Sequence, residues 1–296
     1  MSMHILENDQ IKVSVADHGA ELSSVYDKVS GLERLWDANP EVWNRHAPIL
    51  FPFVGKVTNG VYRIGEKEYS MKTQHGFARD MEFSCVEETD TFVTHRLVAT
   101  EETKEIYPFD FEVLVTHRLD DENPRLLHIE WEVRNNGDTL MYYSIGGHPA
   151  FTLPVKESAE REEYYLKFTG SDSLTYIGVN PKNGLAAVDS AKELKMEDGY
   201  VKFFGDIYDT LIFDYQKIDT VSIAKPDKTP YVTMDCSQFP FLGIWTKTTG
   251  NFICLEPWIG RVDNDGFKGT LEEKVGMEKL EPGASRKVSH TVEFHG

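Results

Sequence analysis

The clearest structural pattern in the sequence is the alternation of apolar and polar residues over residues 127–133. Ile129, Trp131 and Val133 would share one face of an extended chain, because polar or charged residues stand between them. A period of two is typical of a β-strand that buries one face and exposes the other. The segment therefore predicts a strand at the boundary between a core and solvent.

Strand patterns of this kind recur along the chain. Asn136 and Gly137 follow the first of them and favour a tight hairpin turn, with residues 140–145 as the returning strand. Alternation and a high content of β-branched and aromatic residues predict further strands. They cover Phe111–Leu119, Thr220–Ala224, 231–235, Phe241–Trp245, 252–255 and 287–294.

Helix signals are few. Asn39 followed by Pro40 is typical of a helix start and predicts a short helix over residues 39–45, and residues 270–279 give a second. The 296 residues can bury a large core without a disulfide or a metal. Many short strands with few short helices therefore predict one all-β domain over residues 1–296, built as a large antiparallel sandwich.

The charge balance excludes several kinds of partner. Lys and Arg total 31 against 49 Asp and Glu, which gives a formal net charge of −18. An acidic surface repels phosphate backbones and anionic lipid headgroups, so we expect no nucleic-acid or membrane partner. A local basic pocket for a small anion is still compatible with this charge.

The cysteines and the start of the chain indicate a cytoplasmic protein. Cys85, Cys236 and Cys254 have no paired spacing, and no CxxC or HExxH metal pattern occurs. The first ten residues lack the basic and apolar regions of a signal peptide. No apolar run approaches the roughly 20 residues that span a bilayer. We therefore expect a cytoplasmic location, reduced thiols and no metal site.

Three segments place titratable residues among glycines, prolines and aromatics, namely residues 74–79, 144–151 and 254–258. His148 follows two glycines, which leave open space beside the backbone. Glu256 ends an apolar run, so its carboxylate is expected to be buried and therefore paired, hydrogen-bonded or shifted in pKa. Either residue taken alone is equally compatible with a structural role. The functional hypothesis requires both to converge on one open cleft.

Aromatic residues crowd the same segments. Trp245 and Trp258, with Phe77 and Phe151, stand beside polar groups in the sequence. Most aromatics in such a chain belong to the core, whereas a few beside polar side chains can stack on the apolar face of a sugar ring. The two tryptophans are therefore candidate sugar-binding residues.

Five short motifs carry a resemblance to a known family. They are PILFPFVGK at 48–56, HGFAR at 75–79, SIGGHPAF at 144–151, DTLIF at 209–213 and CLEPW at 254–258. With these motifs in this order, nearly the whole chain resembles the aldose 1-epimerase (galactose mutarotase-like) superfamily, and within it the bacterial LacX-like branch. The resemblance implies a broad two-layered antiparallel β-supersandwich and an enzyme without a cofactor.

The same resemblance implies roles for individual residues. His148 falls on the family's general acid, Glu256 on its general base, and His75 on a second histidine that holds the sugar ring. Asp209 falls on a carboxylate that binds sugar hydroxyls. Lys56 stands where many members have an arginine, which keeps the positive charge but loses the planar two-pronged hydrogen bonding.

The implied reaction interconverts the α and β anomers of a hexose. The C1 hydroxyl loses a proton, ring oxygen O5 gains one, and rotation about C1–C2 lets the opened ring close on its other face. A carboxylate near C1 and an imidazolium near O5 supply both transfers, each typically worth about 10²–10⁴-fold. A carboxylate beside His148 would favour the imidazolium at neutral pH, which predicts a bell-shaped pH profile.

The resemblance also permits a phosphorylated substrate. The HGFAR motif occurs in 1-epimerases of hexose 6-phosphates, where Arg79, with Lys56 or Arg261, would bind the phosphate. The alternative for Arg79 is a structural ion pair. The expected ligand is therefore a small sugar or a sugar phosphate.

Two further alternatives lie outside this reaction. A glycoside hydrolase would need a second carboxylate close to Glu256, for which Asp209, Asp263 and Glu130 are the candidates. A non-catalytic sugar-binding protein would keep the cleft and lose the chemistry, because a shared fold does not by itself define function.

Overall fold

The computed structural model describes residues 2–155, 158–203 and 205–296, and these residues form mainly antiparallel strands. One α-helix, α1 (Glu101–Ile106), and six 3₁₀ segments complete the described secondary structure; the 3₁₀ segments are Thr58–Gly60, Ala78–Asp80, Ser158–Glu163, Val188–Ser190, Gly205–Asp209 and Leu271–Glu273. The strands in chain order are β1 (Met3–Glu7), β2 (Ile11–Ala16), β3 (Leu22–Asp27), β4 (Leu32–Glu33), β5 (Ile49–Leu50), β6 (Val61–Ile64), β7 (Lys67–Ser70), β8 (Ser84–Glu88), β9 (Phe92–Val98), β10 (Phe111–Leu119), β11 (Leu126–Asn135), β12 (Met141–Tyr143), β13 (Ile145–Gly147), β14 (Ala150–Thr152), β15 (Tyr165–Phe168), β16 (Leu174–Tyr176), β17 (Lys192–Leu194), β18 (Tyr200–Lys202), β19 (Leu211–Asp214), β20 (Thr220–Ala224), β21 (Pro230–Asp235), β22 (Phe241–Trp245), β23 (Phe252–Ile259), β24 (Glu278–Leu280) and β25 (Ser285–Phe294).

Two large sheets organise these strands. The first has nine strands in the order β18-β15-β20-β21-β25-β11-β10-β9-β8. The second has six strands, ordered β19-β22-β23-β13-β5, with β14 also paired to β23. A four-stranded sheet, β1-β2-β3-β4, and three two-stranded ribbons complete the described pairings. The predicted all-β antiparallel architecture with few short helices is confirmed.

The core lies between the nine-stranded and six-stranded sheets. Alternate residues of β11 are buried, as the sequence pattern predicts. Trp131 on β11 reaches the six-stranded sheet, because a Cβ added to Gly147 would lie 3.2 Å from its indole ring. Val113 and Leu255, one from each sheet, belong to the same hydrophobic cluster. The segment that contains His148 therefore rests directly on the core.

The hairpin predicted after β11 is wrong. Both edges of β11 are already paired, with β10 on one side and β25 on the other, so the chain has no free edge to return along. The Asn135 side chain instead donates hydrogen bonds to the carbonyl oxygens of Thr139 and Leu280, at 2.8 and 2.9 Å. The chain leaves the sheet here, and β12 pairs with β24.

The two predicted helices are also wrong. Residues 39–45 form a single turn, in which the Asn39 carbonyl accepts a hydrogen bond from the Trp43 amide at 2.8 Å. The chain then extends, because tertiary contacts of Trp43 override the local preference. Residues 270–279 contain only the 3₁₀ turn Leu271–Glu273 before β24 begins. No helix in the described ranges is long and apolar enough to cross a membrane.

Candidate active site

His148 and Glu256 face each other across paired strands. β13 pairs with β23 so that Gly146 lies opposite Trp258, and β14 continues the same register further along β23. His148 stands between β13 and β14, so this register places it opposite Glu256. Opposed side chains in an antiparallel pair have Cβ atoms about 4.5–5.5 Å apart. His148 Nε2 accordingly lies 3.2 Å from Glu256 Oε2.

Small residues and a proline shape the backbone around His148. A Cβ at Gly146 would lie 2.5 Å from the Trp258 ring, so only glycine fits at this point of β13. Pro149 has no amide hydrogen and cannot donate to the ladder. The His148 amide bonds away from the carboxylate, to the carbonyl oxygen of Pro48 at 3.1 Å. The ladder is therefore interrupted where the imidazole projects towards Glu256.

Burial dominates the electrostatics of this pair. The exposed fractions of His148 and Glu256 are 8% and 1%. Burial lowers the pKa of His148 to about 3 and raises the pKa of Glu256 well above its ordinary value. The expectation that a neighbouring carboxylate would favour the imidazolium is therefore wrong for the sugar-free protein. The carboxyl group is itself desolvated, so it keeps the proton.

Two buried polar atoms of the pair lack hydrogen bonds. Glu256 Oε2 and His148 Nδ1 make none of good geometry with the described residues, so the 3.2 Å contact is a close approach rather than an aligned bond. Buried polar atoms in proteins are nearly always satisfied. Each of these two atoms therefore has an unused hydrogen-bonding position.

His75 joins the pair from a loop before the 3₁₀ turn Ala78–Asp80. Its backbone has a positive φ of 67°, and its Nδ1 accepts a hydrogen bond from the Gly55 amide at 3.1 Å. Its ring centroid lies 5.5 Å from that of His148, edge to face. Burial, followed by the charges of His148 and Arg79, lowers its pKa. His75 is therefore neutral, with its proton on Nε2.

Two tryptophans flank the imidazole of His148. The ring of Trp43 lies 4.9 Å from it, tilted by 32°, and the ring of Trp245 lies 5.6 Å away, edge to face. The two tryptophans also contact each other, at 5.5 Å. Trp245 was a sequence candidate, but Trp43 was missed because nothing in residues 39–45 distinguishes it from a core aromatic.

Trp258 takes a different place from the one predicted. It is 4% exposed, and its ring lies against both Gly146 and Gly243, where added Cβ atoms would approach it to 2.5 and 2.3 Å. A ring packed in this way has no free face for a sugar. Trp258 lies two residues after Glu256 on the same face of β23. Its indole N–H partly offsets the rise in the pKa of Glu256, although Nε1 makes no hydrogen bond of good geometry. Trp258 therefore positions Glu256.

Three cations surround the histidines. The positive charges of Arg79 and Arg45 lower the pKa of His148, and Lys56 acts on His75 in the same sense. Arg79 Nη2 donates to a loop carbonyl at 2.8 Å, and its Nε is buried without a hydrogen bond. Arg45, which the sequence reasoning missed, donates to the Arg79 carbonyl at 3.3 Å. Asp80 partly balances these charges, because its carboxylate lies 2.5 Å from Arg45 Nη2 and 3.8 Å from Arg79 Nε.

One large cavity is lined by residues other than the pair. Its volume is about 890 Å³, and Lys56, Asp263 and Lys274 are among its lining residues. Neither His148 nor Glu256 lines it, and the expectation of one open cleft around both residues stays a prediction. Lys56 is the sequence-predicted binding residue that reaches the cavity, with Nζ 3.3 Å from the carbonyl oxygen of Asn183.

The other candidate carboxylates lie elsewhere. Asp263 pairs with Lys274 at 2.7 Å, and Glu130 pairs with Lys287 at 2.8 Å. Asp209 is exposed at the end of the 3₁₀ segment before β19, and no contact joins it to His148 among the described residues. Among the described residues, none of these three carboxylates makes a hydrogen bond or an ion pair with His148 or Glu256.

Arg261 is likewise engaged, through its guanidinium contacts with Asp214 at 2.8–2.9 Å. It is 2% exposed. The cations close to the histidines are therefore Arg45, Arg79 and Lys56, and not Arg261.

Within the described part of the chain, three groups of side chains have the chemistry and spacing of metal ligands. In the candidate site, atoms of His148, Cys254 and Glu256 lie within 4.8 Å of one another. The other two groups, described below, share His4. Imidazole, thiolate and carboxylate are all zinc ligands.

The fold is that of the galactose mutarotase-like proteins. A galactose mutarotase related enzyme from Lactobacillus acidophilus superposes with a TM-score of 0.92 and 34% identity, covering 100% of this chain and 98% of that one. A galactose mutarotase-like protein from Lactobacillus casei gives a TM-score of 0.91 and 32% identity, covering 99% and 100%. The predicted β-supersandwich is thereby confirmed.

Sequence comparison gives the family. A family model described as aldose 1-epimerase matches residues 2–263. The plasmid and chromosomal forms of protein LacX from Lactococcus lactis subsp. lactis are each 31% identical over 300 residues, which cover 97% of this chain and 97% of theirs. The chain belongs to the aldose 1-epimerase family.

Proposed function

We propose that this protein is an aldose 1-epimerase, an isomerase that interconverts the α and β anomers of a hexose without a cofactor. The observation that carries the proposal is the approach of His148 Nε2 to Glu256 Oε2 at 3.2 Å. Two proton-transferring groups this close can reach both O5 and the C1 hydroxyl, which are bonded to the same sugar carbon. Family membership supports the same reaction.

In the proposed mechanism Glu256 takes the proton of the C1 hydroxyl while His148 gives a proton to O5. The C1–O5 bond breaks and leaves an aldehyde at C1. Rotation about C1–C2 presents the other face of the aldehyde, and the two residues exchange roles as the ring closes. In both ring opening and ring closure, one residue of the pair gives a proton to the sugar while the other takes one from it, so the total charge of the pair is unchanged.

The proton that Glu256 holds in the sugar-free protein has to reach His148 before ring opening. Sugar hydroxyls that donate hydrogen bonds to the carboxylate favour its ionised form. The proton then crosses the 3.2 Å contact to the imidazole. The unsatisfied Glu256 Oε2 is the atom that would receive such a hydroxyl.

The surrounding residues hold the sugar in this proposal. His75 carries its proton on Nε2 because Nδ1 accepts from the Gly55 amide, so it donates a hydrogen bond to a sugar oxygen. Trp43 and Trp245 exclude water and offer aromatic faces to the ring. Asp209 stays a proposed hydroxyl ligand, which requires the Gly205–Asp209 segment to approach the sugar.

Polarimetry with α-glucose and α-galactose tests the proposal directly. The His148→Asn and Glu256→Gln variants should lose about 10²–10⁴-fold in kcat/KM, the usual contribution of a general acid or base. His128→Gln is a matched control, because His128 forms a partly exposed pair with Asp120 at 2.7 Å in the nine-stranded sheet. Full activity in both site variants would overturn the assignment.

A hexose 6-phosphate is the second candidate substrate. The cations Arg45, Arg79 and Lys56 act on the catalytic histidines in a chain whose formal net charge is −18. Arginine binds phosphate through paired hydrogen bonds, and the buried Nε of Arg79 makes no hydrogen bond, although it lies 3.8 Å from Asp80 Oδ2. The phosphorylated hexose would then bind with its 6-position towards Arg79.

Comparing kcat/KM for glucose and glucose 6-phosphate separates the two substrates. If the phosphate binds these cations, Arg79→Gln should lower kcat/KM for the phosphorylated sugar far more than for glucose. Equal losses on both sugars would assign Arg79 a structural role. Saturable sugar binding without faster mutarotation would instead make the protein a non-catalytic sugar-binding protein.

A further inference from the structure

A second cluster of histidines and carboxylates lies on strands other than those that carry the candidate active site. His4 projects from β1, His95 from β9, and Asp17 directly follows β2. Cys85 and Glu88 come from β8, the edge strand of the nine-stranded sheet. The cluster therefore lies where the four-stranded sheet meets that edge.

The spacing within the cluster matches a tetrahedral metal site. His4 Nε2 lies 2.9 Å from Asp17 Oδ1, and His95 Nε2 lies 3.3 Å from the same oxygen. Ligand atoms from the three residues all lie within 4.8 Å of one another. Zinc binds nitrogen and oxygen ligands at about 2.0–2.2 Å, so neighbouring ligands of a tetrahedral zinc are roughly 3.3 Å apart.

His95 supplies an independent sign that a ligand is bound here. Its side chain is fully buried, at 0% exposure. Neither ring nitrogen makes a hydrogen bond of good geometry, although Nε2 lies close to Asp17. A buried imidazole left without a hydrogen bond is unfavourable by about 1–3 kcal/mol. A metal ion between His95, His4 and Asp17 would satisfy it.

Glu88 orients His4 for this role. Its Oε2 lies 2.9 Å from His4 Nδ1, on the side of the ring opposite Asp17. A carboxylate that accepts the Nδ1 hydrogen leaves Nε2 unprotonated and directed at the metal, an arrangement common around zinc-bound histidines. The two carboxylates, Asp17 and Glu88, also balance the charge of a divalent ion.

We propose that His4, Asp17 and His95 bind one zinc-type divalent ion, with a water molecule as the fourth ligand and Glu88 as the orienting carboxylate. Two imidazoles and a carboxylate suit zinc rather than calcium or magnesium, which take oxygen ligands. The ion links β1 and β2 to β9 and stabilises the join between the two sheets. It takes no part in the proposed sugar chemistry.

Calorimetric titration of chelator-treated, untagged protein with zinc chloride at pH 7.5 tests this site. We expect one saturable site, release of protons from His4, and a melting temperature that rises with zinc concentration, because the ion binds the folded state. Cobalt in place of zinc should give the visible absorption of a four-coordinate site. The absence of saturable binding would overturn the proposal.

Variants identify the ligands. His4→Gln and Asp17→Asn should each weaken zinc binding by more than the 10–100-fold typical of an orienting residue, and Glu88→Gln should fall roughly within that range. The matched control is again His128→Gln, since its pair with Asp120 belongs to none of the metal-ligand groups among the described residues. If His4→Gln does not fold, Asp17→Asn and Glu88→Gln still test the proposal.

Three results would overturn the proposal. Unchanged zinc affinity in both His4→Gln and Asp17→Asn would exclude this cluster, and loss of binding in Glu256→Gln would assign the ion to His148, Cys254 and Glu256. Loss of binding in Cys85→Ser would overturn the proposed ligand set.

Discussion

Two histidine–carboxylate contacts in this protein have similar lengths, but the pKa values of their histidines are shifted in opposite directions. His148 Nε2 lies 3.2 Å from Glu256, and His4 Nε2 lies 2.9 Å from Asp17. Burial lowers the pKa of His148 to about 3 and raises that of Glu256. At His4 burial acts in the same sense, but hydrogen bonds with Glu88 and Asp17 outweigh it, and the pKa is raised.

The difference shows that solvation of the carboxylate, rather than contact distance, decides where the proton lies. The Glu256 side chain is 1% exposed, whereas that of Asp17 is 20% exposed. A partly solvated carboxylate stays ionised and supports an imidazolium or a metal ion. A fully desolvated one keeps a proton that it can pass to its neighbour, as the proposed reaction requires.

The largest expected effect separates the two carboxylates by activity. Glu256→Gln removes a proton acceptor and should lower the mutarotation rate by about 10²–10⁴-fold. Asp17→Asn alters the solvated cluster and should leave the rate unchanged. Polarimetry of both variants at equal concentration measures the contrast. Equal losses would remove the functional distinction between the two contacts.

A packing change should perturb only the buried contact. In Gly243→Ala the new Cβ would lie 2.3 Å from the Trp258 ring, which displaces the residue that positions Glu256. Overpacking of this kind typically destabilises by about 1–3 kcal/mol, and the mutarotation rate should fall as well. Urea unfolding and polarimetry give the two values. Gly178→Ala is the control, because its added Cβ would meet nothing within 4 Å.

Acid unfolding should reveal the opposite signs of the histidine shifts. Burial lowers the pKa of His290 to about 3. Between pH 6.5 and 3 the unfolded state therefore binds more protons than the folded state, and the free energy of unfolding decreases as the pH is lowered. Each such histidine contributes up to about 1.4 kcal/mol per pH unit. His4, with a raised pKa, contributes stability that is present below pH 6.5 and lost as pH rises through its folded pKa.

Urea titrations between pH 5 and 6.5 measure these contributions. His290→Gln should make the loss of stability on acidification shallower, and His4→Gln should make it steeper. A steeper loss in His290→Gln, or a shallower one in His4→Gln, would contradict the pKa directions.

The smallest expected effect concerns the pH profile of catalysis. The pair holds its one proton on a carboxyl group whose pKa is raised, so the pH dependence of kcat/KM should not follow the titration of an ordinary imidazole. An imidazolium with an ordinary pKa of 6.5 would give roughly a tenfold loss per pH unit above that value. A clear inflection near pH 6.5 would therefore show that His148 titrates as the sequence predicted.

Much of the fold could be predicted because strands leave a local pattern. β10, β20 and β22 have the predicted bounds, and β11 buries alternate residues as expected. The hairpin after Asn136 could not be excluded from sequence, because it fails only when β10 and β25 occupy both edges of β11. The helix near Asn39 failed because Trp43 packs on a distant residue.

The site was predictable in its members and not in its environment. Motifs drew attention to His148, Glu256 and His75, and the register of β23 with β13 and β14 brings the first two together. Trp43 and Arg45 carry no local signal, so they were missed. Trp258 was predicted to bind the sugar, because the sequence does not show that Gly146 and Gly243 pack against its ring.

The sequence alone determined the all-β class, the absence of helical architecture over the strand-rich segments, and the resemblance to one sugar-isomerase family. These follow from alternation and short motifs, which are properties of neighbouring residues. Tertiary structure decided how His148 and Glu256 ionise and how His4, Asp17 and His95 converge. Desolvation and ligand geometry arise from strands that are distant in the chain and meet only after folding.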